Sequence, residues 1–259
     1  MPIPTTRMNQ AKIAIVVPCY NEFNRLAVTD FESFLKVHKD ACICFVNDAS
    51  TDNTYLKLEA LKNKFPDQIS ILNNEKNMGK AASVRAGVLC CYHENMAPVI
   101  AYLDADLATS LEECYSYLLH LNENKTFVFG SRILKIGSQV ERKFSRFLFG
   151  RIIATFISNI LDVKVYDTQC GCKVFNAELS ETLFKNPFIS KWLFDVELFS
   201  RLLCHFGKEN ALNSMDEIPV KRWVDQGESK VKLSYFFRLW YDLYLIRKTH
   251  RKNYRAKWS

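Results

Sequence analysis

Apolar residues fall in short runs divided by polar segments, and the runs alternate between strand and helix length. Residues 12–17 (KIAIVV) form a largely apolar run closed by Pro18, which predicts a buried strand. Residues 25–38 read as a helix, and 42–47 (CICFVN) as a second strand ended by Asp48. Ser50 and Asp52 sit in a polar turn suited to capping a helix over 53–64. Further strands are expected at 69–72, 99–103 and 127–129, with helices at 80–92 and 110–121. Strands and helices in this alternation predict an α/β fold with a mostly parallel central sheet and flanking helices.

The pattern changes after residue 134. Residues 141–161 are amphipathic, with Phe144, Phe147, Leu148, Ile152, Phe156 and Ile160 at helical spacing and Arg142, Lys143, Arg146 and Arg151 beside them. From 236 to 246 the chain is rich in aromatics, and Arg247, Lys248, Arg251, Lys252, Arg255 and Lys257 follow. Either segment suits a membrane surface. Each also suits a blander role, as a core helix and a solvated run of charge. No stretch approaches the ~20 apolar residues that span a bilayer. The first ten residues lack the apolar core of a signal peptide.

Length and composition fit one ordinary globular domain, 259 residues with 48% hydrophobic and 24% charged. The net charge of +7 favours anionic partners. Nine cysteines show no CxxC pair and no Cys/His ligand spacing, so they read as reduced thiols of a cytoplasmic protein.

Candidate chemistry collects at the expected carboxyl ends of strands, where open α/β sheets bind ligands. Asp104 and Asp106 follow the run VIAYL. In extended chain, residues two apart share a side. Two hard oxygen ligands then suit Mg²⁺ or Mn²⁺, with a substrate diphosphate completing the shell. Taken alone, the pair is also what a solvated turn would carry. The segments PCYNE (18–22) and NDASTD (47–52) follow the first and second strands, and Asn77-Met78-Gly79-Lys80 opens a helix whose N-terminus favours an anion. Capping explains each of these singly, but three polar clusters at successive strand ends are harder to explain that way.

In order and spacing, VVPCYNE, VNDASTDNT, NMGKAASVRAG, YLDADLAT and FGSR resemble family 2 glycosyltransferases of the GT-A (Rossmann-like) fold. DTQCGCKVF (167–175), WLFDVE (192–197), IPV (218–220) and ESK (228–230) resemble the dolichyl- or polyprenyl-phosphate β-glucosyltransferase branch. The likeness spans about residues 12–233 and implies an inverting enzyme that moves a sugar, glucose from UDP-glucose first, to a polyprenyl phosphate. On this resemblance a single domain over 1–259 divides into a nucleotide-sugar-binding half (about 11–133), an acceptor-binding half (about 134–235) with an acceptor-side helical segment, and a basic amphipathic tail (236–259). Pro18, Tyr20, Asn21, Glu22, Asp48 and Lys80 would serve the nucleotide. Asp104 and Asp106 would hold Mg²⁺ or Mn²⁺ and the diphosphate. Asp106, Asp167 and Gln169 would line the reaction centre, Arg132, Arg142 and Lys230 would meet the acceptor phosphate, and Asp195 and Glu197 would form an acceptor-side acidic pair. Cys172 departs from the aromatic residue usual in the family, a packing change. The transmembrane anchor of eukaryotic members is also missing, so peripheral attachment to the cytoplasmic face is expected.

A phosphate monoester has a second pKa near about 6 and is already anionic at neutral pH, so a basic acceptor pocket is expected more firmly than a general base. GDP-mannose or another UDP-sugar as donor, and a glycan hydroxyl as acceptor, belong to the same class. A non-catalytic nucleotide- or RNA-binding module would also suit the charge. However, the basic residues lie away from the strand ends and no RRM-like signature is present, so a nucleic-acid partner is not expected. A nucleotidyltransferase would need a glycine-rich first loop where PCYNE stands. A homodimer or a polytopic membrane partner is compatible with the sequence.

Overall fold

The computed structural model describes residues 11–133, 136–137, 139–141, 144–224 and 234–258; for 139–141, 144–149, 224, 234–237 and 251–258 only the backbone is described. The elements run β1 (Ile13–Cys19), α1 (Val28–Val37), β2 (Ala41–Asn47), α2 (Thr54–Lys64), β3 (Ile69–Asn73), α3 (Lys80–His93), β4 (Val99–Leu103), α4 (Leu111–Ser116), β5 (Phe127–Ser131), β6 (Gln139–Glu141) and α5 (Phe144–Leu161). Then come β7 (Cys172–Asn176), α6 (Leu179–Phe184), α7 (Phe194–Phe206), α8 (Lys208–Ser214), β8 (Met215–Pro219), β9 (Arg222–Val224) and α9 (Ser234–Trp258).

Seven strands make one sheet in the order β3-β2-β1-β4-β7-β5-β8, and β6 pairs with β9. Neighbours are parallel except β7, which runs antiparallel to both β4 and β5. The α/β expectation with a mostly parallel sheet therefore holds, with one reversed strand between β4 and β5. β1 and β2 are buried on both faces, which is why they read as continuous apolar runs. On one face α3, α6, α7 and α9 cover Val16, Val46, Tyr102, Phe129 and Phe175; on the other α1, α2 and α4 cover Ile15, Phe45, Leu103 and Val174. α3 lies very close to the sheet: a Cβ at Gly87 would stand 2.4 Å from Val16 Cγ1 and 2.7 Å from Val46 Cγ2.

Two local expectations shift. β1 runs on through Pro18 rather than ending before it. Pro18 lies past the last pairing with β4, Val16 with Tyr102, so its missing N–H breaks no ladder on that side. The helix expected at 110–121 ends at Ser116 and tightens into a 3₁₀ turn over Tyr117–His120. Ser110 Oγ caps its start by accepting from Glu113 N at 3.1 Å, and Ser116 Oγ donates back to Glu113 O at 2.7 Å.

The aromatic and basic tail is one long helix, α9, with two faces. Leu239, Leu243 and Ile246 are buried against the α7 side of the core, while Arg238, Tyr241, Tyr244, Arg247 and Lys248 are exposed. Polar ties fix this docking. Asp242 Oδ2 accepts from Ser190 Oγ at 2.6 Å, and His250 Nε2 meets Glu197 Oε1 at 3.2 Å. Glu197, on α7 and almost fully buried, also pairs with Arg201 at 2.8 Å and accepts from Ile189 N at 2.8 Å. Burial pushes its pKa up, but the His250 hydrogen bond and the Arg201 charge outweigh burial and hold it below the ordinary value.

Glu197→Gln is therefore expected to destabilise the fold by about 3 kcal/mol, since it strips the charge that the Arg201 guanidinium and the His250 ring face. A carboxylate with a depressed folded-state pKa contributes its full stability above the unfolded value near ~4.3 and loses it as pH falls through the folded value. Urea titrations should show the wild type losing stability across that acidic window more steeply than the variant. Parallel pH profiles would contradict the assignment.

Candidate active site

The carboxyl ends of β1, β2 and β4 share one rim because these strands are parallel. The loops after β1 and β2 are laced together there. Asp48 N donates to Cys19 O at 2.9 Å and Asn21 N to Ser50 Oγ at 3.1 Å. Asn21 Oδ1 accepts from Thr51 N at 2.8 Å, Glu22 N donates to Thr54 Oγ1 at 2.8 Å, and Phe23 N donates to Asp52 Oδ2 at 3.2 Å. Asn21 and Ala49 both have φ of 53°, a left-handed conformation that costs an alanine about 1 kcal/mol or more. Pro18 and Cys19 close β1, and Tyr20 stands on the rim with 38% of its surface exposed, able to offer a ring to a flat ligand. Glu22 Oε1 accepts from Arg25 at 2.5 Å.

Asp48 is buried and already engaged. Its carboxylate accepts from Asn74 Nδ2 at 2.7 Å, Met78 N at 2.8 Å and Gly79 N at 2.8 Å. It ties down the loop that delivers Lys80, leaving roughly one of its four acceptor positions for a ligand.

Lys80, the first residue of α3, reaches across to Asp104 Oδ1 at 2.5 Å. Burial pulls its pKa down, but the charges of Asp104, Asp195 and Asp106 more than offset this and raise it. Asp104 and Asp106 do not sit on extended chain as the spacing suggested. β4 ends at Leu103, and residues 104–107 turn, with Leu107 N bonded to Asp104 O at 3.1 Å and Leu107 at φ 50°. The turn keeps the carboxylates in electrostatic contact. Burial first, and then the Asp104 charge, raises the Asp106 pKa, and both acids act on Lys80.

Beneath Asp104 runs the segment before β7. Asp104 N donates to Gly171 O at 3.1 Å, and a Cβ on residue 171 would stand 2.1 Å from Asp104 Oδ2. Only glycine fits that shelf. Two adjacent carboxylates, one of them desolvated and burdened by its neighbour, suit Mg²⁺ or Mn²⁺. Among the described residues no group of three acidic, His or Cys side chains offers a metal cage, so a bound ion would draw its other ligands from substrate and water.

Arg132 follows β5. Its Nε and Nη2 donate to Asp167 Oδ2 and Oδ1 at 2.5 Å and 2.8 Å, and its backbone N also donates to Oδ2 at 3.1 Å. Burial opposes the guanidinium charge, while Asp167 and, more weakly, Asp104 favour it, and the net effect raises its pKa. Asp167 is thus a partner for Arg132, and the segment carrying it hangs from Glu217 of β8, which accepts from Tyr166 N at 3.0 Å and Asp167 N at 2.8 Å. Gln169 Nε2 is buried with no hydrogen-bond partner among the described residues, a donor available to a ligand oxygen. Arg142 and Lys230 lie outside the described residues.

Asp195 and Glu197 do not form a pair. Asp195 faces the sheet, where Tyr102 OH and Lys173 Nζ donate to it, while Glu197 faces α9. Cys172 is buried beside Cys114 on the opposite face of the sheet, and all nine cysteines are free thiols. A cavity of about 420 Å³ between α5, α7, α8 and α9 shares no residue with this rim. Gly171, Lys173 and Glu217 were not singled out in the sequence. Gly171 and Lys173 stood inside a quoted motif, and Glu217 directly precedes another, so adjacency was the one available signal.

The glycosyl transferase family 2 model matches residues 14–184, which carry the rim from β1 to β7. The chain belongs to this family. Among its relatives, a dolichyl-phosphate β-glucosyltransferase of Trichomonas vaginalis is 32% identical over 95% of this chain and 74% of its own length. That of Saccharomyces cerevisiae is 29% identical over 91% of this chain and 74% of its own. Glucosyl-3-phosphoglycerate synthase from Mycobacterium tuberculosis, solved with Mn²⁺, UDP-glucose and phosphoglyceric acid, shares the fold at TM-score 0.67 and 14% identity, covering 95% of this chain and 86% of that one.

For this glycosyltransferase, Gly171→Ala should displace the Asp104 carboxylate and lower kcat/KM by about 100-fold, the scale of an ångström-level misplacement, while far-ultraviolet circular dichroism stays native. A folded variant with wild-type kcat/KM would show that the shelf does not position Asp104.

Proposed function

We propose that this enzyme transfers glucose from UDP-glucose, with inversion, to a polyprenyl phosphate of the dolichyl type at a membrane surface. The observation that carries the reading is the rim constellation of Lys80, Asp104 and Asp106 in a chain whose relatives are named dolichyl-phosphate β-glucosyltransferases. Tyr20 offers a face to the base, and Asn21 and Glu22 hold its loop. A divalent ion held by Asp104 and Asp106 would supply charge neutralisation for the departing diphosphate. Lys80 adds a cation on the same side. Arg132, locked by Asp167, keeps guanidinium N–H groups beside the reaction centre for an acceptor phosphate, and Arg142 and Lys230 join it in this reading. The phosphate attacks from the face opposite the leaving group as an anion, so no side chain has to remove a proton. Gln169 Nε2 is suited to hold a sugar hydroxyl.

A long prenyl chain stays in lipid while its phosphate enters the site. Ile152 and Phe156 of α5, Trp192, and Tyr241 and Tyr244 of α9 are exposed, and the last two show 61% and 57% of their surface. Phe156 and Trp240 meet edge to face at 4.7 Å, and Arg238, Arg247 and Lys248 flank them. Apolar rings beside cations suit the headgroup region of an anionic membrane. No helix among the described residues is long and apolar enough to cross one. Free thiols agree with the cytoplasmic face.

The purified enzyme, given radiolabelled UDP-glucose, phytanyl phosphate and Mn²⁺, should yield lipid-extractable label. EDTA should abolish it, Mg²⁺ or Mn²⁺ should restore it, and Asp104→Asn or Asp106→Asn should reduce it by about 100-fold or more. Label from GDP-mannose alone would overturn the donor, and label only in water-soluble glycan would overturn the acceptor.

A further inference from the structure

Lys173 is the second residue of β7, a strand hydrogen-bonded on both sides, and its side chain is 0% exposed. Alternation along the strand sends Cys172 and Val174 to one face and Lys173 and Phe175 to the other. Lys173 therefore enters the aromatic layer of Tyr102, Phe175 and Phe194. A lone ammonium there would be strongly unfavourable, and replacing such buried ions by apolar groups often stabilises a protein. A charge kept at this position calls for a role other than stability.

Its contacts supply one. Lys173 Nζ donates to Asp195 Oδ1, which also accepts from Tyr102 OH at 2.5 Å, and to Cys170 O at 2.5 Å. Cys170 immediately precedes Gly171, whose carbonyl accepts from Asp104 N at 3.1 Å and where an added Cβ would stand 2.1 Å from Asp104 Oδ2. Asp195 lies in the first turn of α7, and Tyr102 is two residues before Asp104 on β4. Three elements therefore converge beneath one carboxylate. Asp195 clamps Lys173, Lys173 clamps the 170–171 carbonyl run, and that run sets the height and orientation of Asp104.

We propose that Lys173, Asp195 and Tyr102 form a buried positioning anchor that sets Asp104 for a divalent ion and its nucleotide diphosphate. None of the three touches substrate. Asp195, which by resemblance belongs to an acceptor-side acidic pair, serves the donor side instead. The proposal rests on the reading of Asp104 and Asp106 as the cation-holding pair, and its test separates the two.

The test is calorimetric titration of Mn²⁺ into the full chain with UDP present, alongside circular dichroism and steady-state kinetics. Lys173→Met combined with Asp195→Asn leaves no unpaired charge. It should stay folded and bind Mn²⁺ about ten-fold more weakly or worse, the scale for lost support behind a metal ligand. The KM for the acceptor phosphate should not change, whereas general loosening would move both. Tyr102→Phe removes one donor with little change of volume and should weaken Mn²⁺ binding by about three-fold. Should the double variant fail to fold, the Tyr102→Phe titration decides. Wild-type Mn²⁺ affinity in a folded variant overturns the anchor. No metal-dependent UDP binding by the wild type overturns the donor-site reading itself, and this inference with it.

Discussion

Two carboxylates held side by side at a half-buried rim repel one another, and the surroundings of Asp104 and Asp106 answer that repulsion. The Asp106 pKa rises through burial and the charge of Asp104. Lys80 lies against Asp104 at 2.5 Å, brought there by a helix start that Asp48 ties down through Met78 N and Gly79 N. The Asp104 amide is bonded to Gly171 and the Asp106 carboxylate to Ala108 N. Such an arrangement keeps negative charge concentrated where a cation and a diphosphate can meet it, and a folded scaffold sustains it because the rest of the sheet is densely packed.

The same logic orders the surroundings of Arg132. Arg132 would be a costly isolated cation at a partly buried site, so Asp167 grips it twice, and Glu217 grips the backbone of Asp167 from the neighbouring strand. The fork fixes Arg132 while leaving guanidinium N–H groups for a further anion. Glu197 plays the corresponding part for α9, joining α7 to His250 and so fixing the helix that exposes Tyr241 and Tyr244. Carboxylates that a sequence reader would nominate for catalysis thus divide into two kinds. Asp104 and Asp106 are half-buried at the rim, and Asp48, Asp167, Asp195 and Glu197 hold other parts in place.

The first half was largely legible in the sequence. Parallel strands buried on both faces give unbroken apolar runs, and β1, β2 and β4 appear as such in KIAIVV, CICFVN and VIAYL. Their carboxyl ends carried the polar clusters, so the rim was legible too. The second half was not. β7 carries a lysine at its second position, which breaks any apolar pattern, and the partners that make it tolerable lie 22 and 71 residues away in Asp195 and Tyr102. The acids of α7 resembled an acceptor-side pair, yet helical positions two apart send Asp195 and Glu197 in different directions. The close approach of Gly171 to Asp104 depends on β4 and β7 being neighbours, which no local pattern announces.

The most direct test is a crystal structure of the protein with Mn²⁺ and UDP. The account predicts the ion bound by Asp104 and Asp106 and bridged to the diphosphate, with Lys80 turned from Asp104 to a phosphate oxygen and the uracil ring against Tyr20. An ion held elsewhere, or UDP bound while the Lys80–Asp104 pair stays intact, would contradict it.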